Sequence, residues 1–311
     1  MNSSLPPSET AIRIAVVGDV HDLWGEEDAI ALRHLGVDLV LFVGDFGNEA
    51  VGVVEQIAAL DLPKAAIFGN HDAWYSATDW GRKKCPYDRS REDRVQQQID
   101  LLGTAQVGYS TLDLPQFGLS VVGGRPFSWG GAEWRNASFY AERYGINSFE
   151  ESAQRICDAV QAATYETILF VGHCGPVGLG DQPESLCGRD WKPLGGDYGD
   201  PDLAAGIAYA HSAGKRVPLV TFGHMHHGLR HRKDRIRERI QVDRPRNTVY
   251  LNAASVPRIV QTEAGFQRNF SIVTLRENQI ESASLVWVDQ RFEICAEELL
   301  YKVANPAVMI S

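Results

Sequence analysis

Short apolar runs recur along the chain, and each stops at a glycine followed by a polar residue. "IRIAVVGDVH" carries Asp19 and His21, "VDLVLFVGD" carries Asp45, and "KAAIFGNHD" carries Asn70, His71 and Asp72. "TILFVGHCG" carries His173, and "PLVTFGHMHH" carries His224 and His226. The runs are nearly continuous and rich in Val, Ile, Leu and Phe, as strands buried on both faces are. In open α/β sheets, functional groups gather outside the carboxyl ends of the strands. Five polar ends far apart in sequence can therefore meet in space. The glycine before each one removes a Cβ and permits a sharp turn.

Between the runs the apolar period becomes helical. "EEDAIALRHLG" predicts a helix that stops at Gly36, and "NEAVGVVEQIAAL" predicts another reaching about Leu60. Ser90 with Asp93 and Ser148 with Glu151 read as capping boxes, opening helices to Leu102 and about Ala163. Asp200, Pro201 and Asp202 form a cap, a Pro at the first helical position and an acid in the first turn; Gly214 would end that helix. Strands alternating with helices predict an α/β fold. Later, "NTVYLNAAS", "NFSIVTLRE" and "SASLVWVDQ" read as strands without intervening helices, the last two as an antiparallel hairpin covering an edge of the core. The segment 174–200 is irregular and rich in Gly and Pro. A loop of that length inside a compact domain is usually functional or disordered. It is expected to form a lid-like insertion in a single domain spanning 1–311.

Composition narrows the class. The chain has 311 residues, 44% hydrophobic and 23% charged, which is ordinary globular usage with ample length for a core. A net charge of −10 makes a general nucleic-acid or anionic-membrane surface an unfavoured expectation. The basic run "RHRKDRIRER" stands out, but Asp234 and Glu238 are interleaved, which suits a solvated strand pair better than a nucleic-acid contact. Cys85, Cys157, Cys174, Cys187 and Cys295 are odd in number and widely spaced, so a reducing compartment, the cytoplasm, is expected. The opening "MNSSLPPSETAIRIAVVGDV" has neither a basic region nor a long apolar stretch of the signal-peptide kind. No run approaches the roughly 18 apolar residues of a membrane span.

The histidines set the chemistry. Side chains alternate along a strand, so His224 and His226 should point to one side and His227 to the other. Two neutral imidazoles side by side suit a metal ion. In order, Asp19-x-His21, Gly44-Asp45, Gly69-Asn70-His71-Asp72, Gly172-His173 and Gly223-His224-x-His226 resemble the five blocks of the calcineurin-like metallophosphoesterase superfamily. The blocks span residues 19–226.

That resemblance implies two mixed β-sheets packed as a sandwich flanked by helices, and a site for two divalent metal ions. By position, Asp19, His21 and His226 would hold one ion, Asn70, His173 and His224 the other, and Asp45 would bridge them. Mixed N and O donors without thiolate suit Mn, Fe, Zn or similar ions. The implied reaction is hydrolysis of a phosphate ester by a hydroxide bridging the metals. In the family pattern His71 is no ligand but a proton donor to the leaving oxygen, with Asp72 expected to orient its ring. The protein Ser/Thr phosphatase branch extends the second block with a phosphate-gripping Arg. Here "GDFGNE" places Phe46, Gly47, Asn48 and Glu49 there, which argues against that branch. A phosphorylated small molecule is the expected substrate. A nuclease or cyclic-nucleotide diesterase of the same fold stays open, as does an amidohydrolase-like metal hydrolase, which also uses His-x-His.

Arg125 and Arg189 are candidates for substrate contact, with Phe127, Trp129, Trp134, Trp191 and Lys192 as possible pocket walls. Cys174 reads as a small buried hydrophobe beside His173, and His34, His211 and His231 read as surface residues.

Overall fold

The computed structural model describes residues 11–303; the reading of the first ten residues as lacking a leader lies outside them. In chain order the first half runs β1 Ile12–Val17, α1 Glu26–His34, β2 Leu39–Phe42, α2 Val51–Ala58, β3 Lys64–Ala66, α3 Trp74–Ala77, α4 Asp79–Lys84, α5 Arg94–Leu102, β4 Thr111–Leu114 and β5 Leu119–Gly123. It continues with α6 Ala137–Tyr144, α7 Phe149–Ala162, β6 Thr167–Val171, α8 Pro201–Ser212, β7 Arg216–Phe222, β8 Ile240–Asp243 and β9 Thr248–Asn252. It closes on β10 Ile259–Thr262, β11 Gly265–Arg276, β12 Gln279–Val288 and β13 Ile294–Lys302.

The strands form two mixed sheets. One has the order β13-β12-β11-β1-β2-β3, with β10 added to β11; the other has the order β4-β5-β6-β7-β9-β8. In the first, β1, β2 and β3 are parallel; in the second, β5, β6, β7 and β9 are. Side-chain alternation on β1 builds the layers. Ile14 and Val16 join Leu169, Leu219 and Val249 of the other sheet in one core. Ala15 and Val17 face the opposite way, into a core with residues of α1, α2 and α5. A third core packs α7 and α8 against the outer face of the second sheet. Strands covered on both faces must be apolar at every position, which is why their sequences read as continuous runs.

Several boundaries differ from the sequence reading, each for a local reason. The helix expected from Ser90 starts at Arg94, because Asp93 rather than Ser90 accepts the Gln96 amide, at 2.9 Å. Ser148 does cap α7, accepting the Glu151 amide at 3.2 Å. Helix α2 starts at Val51, since Glu49 turns inward with φ 52° to meet the Ser76 amide. Asp200 precedes α8 without capping it, its carboxylate being taken by Arg125 and Ser128. The expected hairpin is β11–β12, turning at Glu277 and Asn278 with both φ angles positive, but β11 also pairs with β1 and so extends the sheet from within.

Among the described residues no helix is long and apolar enough to cross a membrane, and Cys85, Cys157, Cys174, Cys187 and Cys295 are all free.

Candidate metal centre

The carboxyl ends of β1, β2, β3, β6 and β7 lie together, and the polar residues after each strand close on one another. Asp19, His21 and His226 offer donor atoms within 4.8 Å of one another, and Asp45, His173 and His224 form a second such group. Asp45 reaches both. Its Oδ1 lies 3.3 Å from His173 Nε2, and its Oδ2 lies 3.9 Å from His21 Nε2. Asn70 Oδ1 lies 3.0 Å from the same His173 nitrogen.

The local backbone explains how the strand ends deliver these groups. Asp19, His21, Asp45 and His224 have φ between 45° and 64°, a region that non-glycine residues occupy sparingly. The left-handed turn throws each side chain back over its strand end, and strain of this kind is typical of functional sites. His224 and His226 therefore share the site by a turn, not by the strand alternation expected, since β7 ends at Phe222. Two glycines make room. A Cβ on Gly69 would overlap the Asp45 carboxylate and the His173 ring, and one on Gly223 would overlap the Asp19 carboxylate.

The donor set fits a cation. The ring nitrogens and carboxylates are packed with their lone pairs facing inward. His173 Nδ1 lies 2.7 Å from the Val43 carbonyl, an acceptor, so it carries the proton. His173 Nε2 is then a bare lone pair, yet it faces Asn70 Oδ1 at 3.0 Å and His224 Nδ1 at 3.2 Å. His21 Nε2 and His226 Nε2 likewise lie 3.3 Å apart. The His173 lone pair and the Asn70 oxygen turned toward one another repel unless positive charge sits between them, and a metal ligated by imidazole and carboxylate would supply it. The carbonyl behind His173 is the kind of outer partner that fixes a ligand's tautomer.

The charges lean the same way. Burial pushes the Asp45 carboxyl up, and His173, His71 and His21 more than offset it, so the group stays below its ordinary value. Burial also opposes ionisation of Asp19, and the His226 hydrogen bond and charge outweigh it. His224 is held neutral, well below the ordinary imidazole value, by burial and then by His173. His226 is pulled the other way, its pKa raised by the Asp19 hydrogen bond and charge against burial, so the two carboxylates stay anionic and attract positive charge.

His71 is placed differently. Its Nδ1 meets Asn48 Oδ1 at 2.6 Å, its ring stacks on Trp74 at 4.7 Å, and it stands edge-on to His21 at 5.0 Å. Burial lowers its pKa, with Asp45 pulling the other way. His71 also falls within donor distance of His21 and Asp45.

Asp72 does not orient His71. Its carboxylate is buried and accepts the amides of Gly69 at 2.7 Å, Phe46 at 2.8 Å and Asp45 at 3.0 Å. Asn70–Ala73 is one turn of 3-10 helix, so adjacent side chains diverge, and Asp72 pins the Asp45 loop from behind. The orienting group is Asn48, which sequence reasoning passed over. The signal available was a polar residue three positions past the second block.

Neither candidate arginine contacts the site. Arg125 is 2% exposed and forms a buried cluster with Asp200 and Asp202, the Asp202 contact at 2.8 Å. Arg189 is held within its own loop, donating to the Gly195 carbonyl at 2.8 Å and lying over Tyr198. His227 is buried and lies 3.0 Å from the Asn252 carbonyl, not in solvent. Cys174 is buried, and its thiol lies 3.7 Å from the Ser128 carbonyl. Phe127 is core, stacked on Phe68 at 5.2 Å. The segment 174–200 borders the site through Trp191 and Tyr198, but it is a packed wall: Leu186 and Cys187 are buried, and the buried Arg237 donates to the carbonyls of Pro183, Ser185 and Gly188.

Comparison with known proteins places this geometry. The calcineurin-like phosphoesterase family model matches residues 12–228, more than half of the chain. No curated protein matches. Among solved structures, TT1561 of Thermus thermophilus is 12% identical, with 94% of this chain and 100% of that chain covered and a TM-score of 0.46. A dimetal phosphatase from Danio rerio is 11% identical, with 94% and 99% covered and a TM-score of 0.48. A metallophosphoesterase from Sphaerobacter thermophilus is 15% identical, with 91% and 90% covered and a TM-score of 0.37. The two-sheet sandwich and the family match together set aside the amidohydrolase alternative. The chain belongs to the calcineurin-like phosphoesterases.

Proposed function

We propose that the chain hydrolyses a phosphate ester with the help of two divalent metal ions. Asp19, His21 and His226 would hold one ion, Asn70, His173 and His224 the other, and Asp45 both. The observation that carries this reading is the Asp45 carboxylate, whose two oxygens face His173 at 3.3 Å and His21 at 3.9 Å. Bound there, the ions would supply Lewis-acid charge and a nucleophile at neutral pH. Mn, Fe or Zn suit these donors. Asn48 Oδ1 accepts from His71 Nδ1–H and fixes the ring, so Nε2 has a proton to hand to the leaving oxygen in the imidazolium form, which the Asp45 charge favours against burial. A positioned acid of this kind contributes about 10²- to 10⁴-fold.

We take the substrate to be a phosphorylated small molecule, since a net charge of −10 disfavours a polyanionic partner. The free cysteines support a reducing compartment such as the cytoplasm. The site draws on both sheets, which supports one domain across 1–311. The test is a panel of phosphomonoesters, phosphodiesters and nucleotides with Mn²⁺, Fe²⁺, Zn²⁺ and Mg²⁺ added separately. Metal-dependent phosphate or alcohol release is expected. Protein that binds about two equivalents of metal yet turns over nothing on the panel would overturn the reading.

A further inference from the structure

A cavity of about 290 Å³ opens beside His224 and His226. Trp129, Trp191, Tyr198, Arg135 and Arg230 line it, and none of them belongs to the proposed ligand set. Trp191 and Tyr198 meet edge to face at 4.8 Å, forming a rigid aromatic corner. Trp129 stacks on Trp74 at 5.4 Å, and Trp74 stacks on His71 at 4.7 Å, so this wall continues from the proposed proton donor.

The cavity is also cationic. The Arg230 guanidinium lies over the Trp191 ring at 5.4 Å and forms no salt bridge among the described residues. Arg135 has only Glu133, at 3.2 Å, and that pair is well exposed, so water screens it and the guanidinium is free to change partner. The one carboxylate on the wall, Asp190, is already committed, to Arg237 at 3.4 Å and to the Arg230 amide at 2.7 Å. An unpaired guanidinium stacked on indole, beside a phosphoryl site, awaits an anion.

We propose that this cavity holds the part of the substrate that is not attacked, and that it selects phosphoesters bearing both a planar ring and a second anionic group, the chemistry of a nucleoside bisphosphate. The ring packs on Trp191, Tyr198 or Trp129, and the second anion pairs with Arg230 and Arg135. A purely aliphatic alcohol would leave both guanidiniums to water and gain nothing from them. The volume sits at the lower end of ligand pockets, about 300 Å³, which suits one ring and one small charged group and excludes a polymer. The inference rests on the phosphoesterase reading only for where the scissile phosphate lies.

The test uses metal-loaded protein with adenosine 3′,5′-bisphosphate, adenosine 5′-monophosphate and ribose 5-phosphate. Affinity is read by calorimetry and phosphate release by kcat/KM, in wild type, Arg230→Gln and Trp191→Leu. The bisphosphate should bind on the order of a hundredfold more tightly than ribose 5-phosphate, one stacked ring and one paired anion each contributing about tenfold. Arg230→Gln should erase the gain from the second phosphate, and Trp191→Leu the gain from the ring, with ribose 5-phosphate changed less than about twofold. Preferential binding without turnover would support the subsite and count against the phosphoesterase reading. Turnover or binding that ignores ring and second phosphate, or variants that weaken all three compounds equally, would overturn the subsite.

Discussion

The Asn48 side-chain oxygen lies 2.6 Å from His71 Nδ1 and ties the imidazole to the loop that carries Asp45. The same loop donates two of the three amide hydrogen bonds that the Asp72 carboxylate accepts, from Asp45 and Phe46. One turn therefore sets both the Asp45 carboxylate and the ring beside it. Asn48→Ala should keep full metal content by elemental analysis and lower kcat about ten- to hundredfold, the usual effect of losing an outer hydrogen-bond partner. The loss should be larger for poor leaving groups, which need the proton most. His71→Ala should also retain metal, and the double variant should be no worse than His71→Ala alone, because both act through one ring. Loss of metal in His71→Ala would make His71 a ligand instead.

Asp45→Asn addresses the metal centre itself. An amide can donate one oxygen but not bridge two cations with an anion. The variant should lose at least one ion and fall to the turnover of chelator-treated protein. In wild type, chelation should also lower the thermal midpoint, since bound metal stabilises by mass action, about 2.7 kcal/mol at a hundredfold excess over Kd. Unchanged metal content with near-normal rates would remove Asp45 from the bridging role.

The convergence of the candidate residues was legible because a strand buried on both faces must be apolar throughout, so a polar residue at its end has to be there for another reason. The edges of the first sheet were not legible. In β13 nearly every residue is exposed or half-buried, and β10 is short and partly exposed, so neither carries an apolar pattern to read. Asp72 was misread because adjacency in sequence says nothing about direction inside a 3-10 turn. Arg125 was misread because an arginine after a strand has the same sequence signature whether it meets substrate or, as here, two carboxylates contributed from 75 and 77 residues away.

Arg125 accordingly should behave as a structural cation. Arg125→Met leaves Asp200 and Asp202 buried without their partner, a loss on the order of 3–5 kcal/mol in urea unfolding at neutral pH. Burial, only partly opposed by Arg125, pushes the Asp200 carboxyl up to about 6, above its ordinary 3.8. Without Arg125, which lowers it, the variant's Asp200 is pushed higher still, so the variant takes up this proton before wild type does and the penalty of the uncompensated charge eases as pH falls toward about 6. The stability difference between wild type and variant should be smaller at pH 5 than at pH 8. KM per folded molecule should stay within about twofold for ribose 5-phosphate, whereas a rise of tenfold or more would return Arg125 to the substrate.

The basic run 230–239 divides into groups with separate duties. Arg232 pairs with Asp234 and with Glu184, the latter at 3.1 Å; Arg237 is buried against carbonyls; Arg239 pairs with Glu298, one contact at 2.7 Å. Of the solvated strand pair or hairpin expected there, the structure shows a loop closed by one antiparallel Gly228–Ile236 bridge. With Arg232, Arg237 and Arg239 answered locally and Arg230 on the cavity wall, the run keeps few free charges to offer a phosphate backbone. A protein that neutralises several phosphates shows an affinity falling steeply with salt. Arg232→Gln combined with Lys233→Gln and Arg235→Gln should therefore change neither DNA retention at physiological salt nor the salt slope of kcat/KM by more than a few-fold. Arg230→Gln should flatten that slope, because its guanidinium has no carboxylate to screen it. DNA or RNA cleavage by wild type that disappears in the triple variant would assign the run to nucleic acid and the protein to the nucleases.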